Sequence, residues 1–89
     1  MSSLLSSDHH SMIDTIKQAI LMHIPEAIVE VSGEEGHYSI FVISPLFKDK
    51  STLERQRMVY QAITPWMKGE SPLIHAIDSL QTQVPPSST

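Results

Sequence analysis

Phe47–Tyr60 reads FKDKSTLERQRMVY, and the rest of the chain is ordered around it. Ser51-Thr52-Leu53-Glu54 inside this stretch is a capping box. The Ser51 hydroxyl can accept from the Glu54 N–H, and the Glu54 carboxylate can reach back to the Ser51 N–H. A helix is therefore predicted to start at Ser51 with basic residues along its edge. Leu53, Val59, Tyr60, Ile63, Trp66 and Met67 supply its apolar stripe. Thr64-Pro65 reads as a fresh N-cap and first helical position, so the pattern predicts two helices, 52–63 and 65–68. Gly69 closes the second as a C′ residue.

Upstream, Ser11 with Asp14 in the first turn marks another helix start. Met12, Ile13, Ile16, Ala19, Ile20 and Ile24 recur at helical spacing, and Pro25 stops the run, giving a helix over 12–23. Residues 27–31 form a short β-branched strand. Ser32-Gly33-Glu34-Glu35-Gly36 reads as a turn, and 37–43 as the antiparallel return strand. Downstream, Leu73–Leu80 reads as a third strand that carries His75 and is entered after Pro72. The order is α-β-β-α-α-β, an α+β pattern in which the helices cover one face of a three-stranded sheet.

Length and composition bound what such a chain can do. Its 89 residues make one domain with one small core. The chain has no cysteine, which excludes disulfides and any thiolate metal site of its own. Net charge is -4 and the pI is about 5.6, so the whole-domain basic footprint of nucleic-acid binders is missing. The opening MSSLLSSDHH has neither a basic n-region nor an apolar h-region. No apolar run approaches the roughly 18 residues needed to cross a bilayer. Residues 1–10 read as a flexible lead-in, 11–82 as the domain and 83–89 as a flexible tail.

The combination of Phe47, Ser51, Arg55, Arg57, Val59 and Tyr60 with Ile74-His75-Ala76-Ile77 resembles the BolA family over about residues 12–82. The short hairpin and Gly36-His37-Tyr38 look most like its short-loop bacterial branch, of the IbaG type. Three positions depart from the family pattern. Asp49 stands where a glycine is usual, and Gln56 stands in the middle of the family's Arg-His-Arg triplet. Gln81–Pro86 replaces the usual C-terminal extension. The resemblance implies a class II KH-like α/β fold and cytoplasmic work beside a protein partner, the chain alone being a monomer or weak homodimer.

The resemblance implies two activities. One is assembly with a monothiol glutaredoxin around a shared [2Fe-2S] cluster, whose other ligands would be the glutaredoxin cysteine and glutathione. Imidazole can ligate such iron and loses no proton on binding when neutral. His75 matches the family's C-terminal histidine; read from the residues alone, it is a strand histidine with a packing role. The family's loop ligand falls near Glu34, a hard carboxylate better suited to a lone divalent ion. His37 is the second ligand expected here, with a surface strand histidine as the alternative. His9 and His10 are adjacent in a flexible segment and cannot preorganise a site, while His23 complements a helix C-terminus.

The other activity is transcriptional regulation by DNA binding. Its candidate contacts are Lys48, Lys50, Arg55, Arg57 and Lys68, five of the six basic residues. Arg55 and Arg57 project in different directions, and one of them is expected to pack its stem and bond its head to a carbonyl or carboxylate. No Gly-x-x-Gly loop of the RNA-clamping kind is present. The same positive edge could receive a partner protein or glutathione carboxylates. An enzyme is not expected, because the chain has no cysteine nucleophile, Gly-x-Ser-x-Gly elbow, P-loop or His-Glu-x-x-His.

Overall fold

A computed structural model describes residues 11–86 and the side chains from Met12 onward. Helix α1 spans Ser11–His23, strand β1 Ile28–Glu34, strand β2 His37–Ile43, helix α2 Thr52–Ile63 and strand β3 Ala76–Gln83. Single 3₁₀ turns cover Pro45–Phe47 and Thr64–Trp66. Residues 1–10, with His9 and His10, and the side chain of Ser11, the expected cap, lie outside the described residues, as do residues 87–89.

The sheet order is β1-β2-β3, with β1 antiparallel to β2 and β2 parallel to β3. Ile16, Ile20 and Ile24 of the α1 segment are fully buried, as are Val59 and Ile63 of α2. They meet Val29, Tyr38, Ile40 and Val42 from alternate positions of the sheet. Both helices therefore cover one sheet face, as the apolar pattern requires. Phe47, fully buried in the first 3₁₀ turn, joins the same core and fixes where α2 begins.

The capping box forms as its sequence requires. Ser51 Oγ accepts from the Glu54 N–H at 3.1 Å, and Glu54 Oε1 accepts from the Ser51 N–H at 2.9 Å. Other expectations need correction. Leu53 is exposed, because the buried stripe of this helix begins only at Val59. Thr64 is not an N-cap: its backbone is helical, and its hydroxyl donates to the Tyr60 carbonyl at 2.6 Å. The expected helix at 65–68 is thus one 3₁₀ turn continuing α2, and the order becomes α-β-β-α-β.

The hairpin is longer and its turn tighter than the glycine pattern suggests. β1 continues through Gly33 and Glu34, and only Glu35-Gly36 turn the chain. Both have positive φ, 54° and 86°, as a two-residue type I′ turn demands. Gly33 lies opposite Tyr38, and a Cβ there would collide with the His37 carbonyl oxygen. Its glycine serves strand pairing, not the turn.

The C-terminal strand also moves. β3 begins at Ala76, so His75 precedes the strand, and it runs past the expected end at Leu80 to Gln83, the first residue of the expected tail. The Gln83 carbonyl accepts from the Ser44 N–H at 3.0 Å, and Val84 packs against the core. Among the described residues, no helix is long and apolar enough to cross a membrane. Replacing Ser51 with Ala should lower stability by about 1 kcal/mol through loss of the cap. Urea denaturation checks this, and an unchanged midpoint would show the cap to be dispensable.

Candidate metal centre

The hairpin turn and the start of β3 are tied at one atom. The Gly36 carbonyl accepts from the His75 N–H at 2.8 Å and from the Ala76 N–H at 3.0 Å. Ile74, nearly fully buried, anchors the preceding residue, and its N–H donates to the Trp66 carbonyl at 2.9 Å. His75 is thus held from both sides by its backbone while its side chain stays exposed. Its imidazole lies directly over Gly36. A Cβ there would stand 2.7 Å from both Cγ and Nδ1 of the ring. Glycine at 36 is needed twice, for the turn and for the seat of the ring.

His37 begins β2 immediately after this turn, and its Cα pairs with that of Ala76. The two rings meet edge to face, with centroids 6.2 Å apart and planes at 81°. Convergence was expected only if the first and last strands were neighbours. They are not: His37 lies on the central strand β2, and β2 adjoins β3 directly. The His75 seat is equally unlike the expectation of a ligand within a strand, since it stands on the connection that leads into one.

Two exposed imidazoles this close can supply two nitrogen ligands to one ion at about 2.0–2.1 Å each after rotamer adjustment. Further ligands must come from elsewhere. Among the described residues, no three His, Cys, Asp or Glu side chains gather as a metal site. Glu34 pairs across the strand with His37 but is exposed and does not complete a set. The arrangement is half of a coordination shell, open to solvent.

Asp78 is the residue that sequence reasoning missed. Its Oδ1 lies 3.3 Å from His37 Nδ1, with both side chains just over half exposed. A signal existed in the sequence. Ile77 and Leu80 are three apart and both apolar, which a regular strand cannot place on one face.

The candidate basic residues do not share one environment. The Arg55 Nε–H donates to the Lys50 carbonyl at 3.0 Å, and its guanidinium lies 5.9 Å from the Phe47 ring centroid. It is the arginine whose head is bonded locally, and it staples the loop to α2. Lys48, Lys50, Arg57 and Lys68 remain exposed. Asp49, at the family's glycine position, has φ 66°, a conformation that Asp tolerates better than most residues.

Comparison with known proteins points one way. The model of the BolA family, described as "BolA-like protein", matches residues 6–86. An uncharacterized protein of Buchnera aphidicola subsp. Baizongia pistaciae is 30% identical over 67 residues, covering 75% of this chain and 82% of that one. The structure of a BolA homologue from Coxiella burnetii is similar at 35% identity and TM-score 0.65, covering 79% and 86% of the two chains. A bol-like protein from Babesia bovis is similar at 25% identity and TM-score 0.67, covering 81% and 83%.

Gly36→Ala should expel the His75 ring from its seat. A strained φ adds a cost of about 1–2 kcal/mol. Both effects are read from the His75 ring resonances and a denaturation curve. Unmoved His75 resonances in a folded variant would show that Gly36 does not seat the ring.

Proposed function

Because this chain belongs to the BolA family of BolA-like proteins, we propose that it works in the cytoplasm with a monothiol glutaredoxin, helping to hold, sense or pass on a shared [2Fe-2S] cluster. His75 and His37 supply this chain's two ligands. The supporting observation is the meeting of two exposed imidazoles at the hairpin turn, 6.2 Å apart between ring centroids. A second is the half-complete coordination shell, which suits a group shared between two proteins better than an ion owned by one. When bound, the cluster would supply one-electron chemistry and a transferable iron-sulfur unit.

This chain's own contribution is placement. The backbone bonds of Gly36 hold His75 without engaging its ring nitrogens. Neutral imidazole binds a metal without releasing a proton. The exposed Lys48, Lys50, Arg57 and Lys68 can meet acidic groups of a partner or the carboxylates of glutathione. The alternative reading, a DNA-binding regulator, has less behind it. Arg55 is committed to Lys50 and Phe47, which leaves four of the five candidate basic side chains on a chain of net charge -4.

The test mixes the purified protein with cluster-loaded monothiol glutaredoxin and records visible absorption and circular dichroism. The wild-type protein should change both spectra. His75→Ala should abolish the change, and His37→Ala should weaken or abolish it while leaving the fold intact. Spectra identical to those of the glutaredoxin alone would end the proposal.

A further inference from the structure

The pairing of β2 with β3 contains one irregularity, and it lies beside the two histidines. His37 pairs with Ala76 and Tyr38 with Ile77, but Ser39 pairs with Ser79. Asp78 has no partner on β2; it is the extra residue of a β-bulge, a feature rare in parallel pairs and common beside functional sites. The core explains why the bulge forms. Ile77 and Leu80 both pack against the buried cluster, opposite Tyr38 and Ile40. With strict alternation from Ile77, Leu80 would face solvent and Ser79 the core.

The same bulge sets the position of Asp78. Its carboxylate lies 3.3 Å from His37 Nδ1, at the long end for a hydrogen bond. A carboxylate can only accept here, so the contact requires the proton on Nδ1. A neutral imidazole with its proton on Nδ1 carries its lone pair on Nε2. A solvated imidazole favours the opposite tautomer. Metal-bound histidines commonly donate their second ring N–H to a carboxylate in this way, which fixes the ring and raises its basicity.

We infer that Asp78, presented by the β3 bulge, is a positioning residue that holds His37 as the Nδ1–H tautomer with Nε2 free to ligate. The inference rests on the reading of His37 as a ligand. It assigns the ligating nitrogen and gives the bulge a purpose beyond core packing. His75 has no such carboxylate partner among the described hydrogen bonds; its orientation comes from the Gly36 seat. The two ligands are therefore oriented by different means, one by a carboxylate and the other by a glycine.

The test uses the full-length, metal-free protein, so it does not depend on the cluster. Long-range ¹H–¹⁵N correlation spectra at alkaline pH report which nitrogen of each neutral histidine carries the proton. Wild-type His37 should show the Nδ1–H pattern. Asp78→Ala should shift it towards Nε2–H, whereas Asp78→Asn should retain Nδ1–H, because its amide oxygen still accepts. Asp78 is exposed, so neither variant should unfold the domain, and a dispersed spectrum verifies this. In the glutaredoxin mixture, Asp78→Ala should weaken cluster binding on the order of 10–100-fold. A wild-type His37 tautomer in Asp78→Ala would overturn the inference without touching the proposed function. If cluster spectra ignored His37→Ala, the reading of His37 as a ligand would fail, whatever its tautomer.

Discussion

The carbonyl of Gly36 is the point on which the candidate site depends. It stands in a two-residue turn and receives two N–H groups from the segment entering β3. One bond alone would leave that segment free to pivot; two adjacent bonds fix its direction and start the parallel pairing. The same residue lacks the Cβ that would push the His75 ring away. Turn geometry, strand register and the seat of the imidazole are thus three demands on one glycine. No other residue type meets all three, since the position combines positive φ with a ring in contact.

Around that point the molecule divides its work. Behind the sheet, isoleucines of α1, Val59 and Ile63 of α2 and Phe47 make a dry core that sets the strands. In front, at the end of the hairpin, the chain offers exposed polar side chains held mainly by their backbones. The bulge in β3 links these two regions. It arises because Ile77 and Leu80 both belong in the core, and its by-product is a carboxylate beside His37. An apolar constraint on one face therefore determines a polar arrangement near the other.

The basic segment shows a similar division. Arg55 is spent on the local structure, closing the loop over Phe47 and bonding the Lys50 carbonyl. The neighbouring lysines and Arg57 stay in solvent, where charge can attract a partner but contributes little to folding. Asp49 keeps the loop in a left-handed turn at a position where glycine would cost less.

The sequence by itself determined the locally encoded features. The starts of α1 and α2, the Ser51–Glu54 cap, the hairpin and the stop at Pro25 follow from spacing and capping within a few residues, and each is present. The family was also legible, because the helix motif and Ile74–Ile77 occur together. Tertiary structure alone decided the rest. Which strands adjoin, where β3 begins and ends, that Leu53 stays exposed, and that Asp78 comes to lie beside His37, all depend on partners distant in sequence. His37 and His75 are separated by more than a helix and two turns, and no local rule places them together. They meet because a parallel pairing, anchored on the Gly36 carbonyl, brings them to the same end of the sheet.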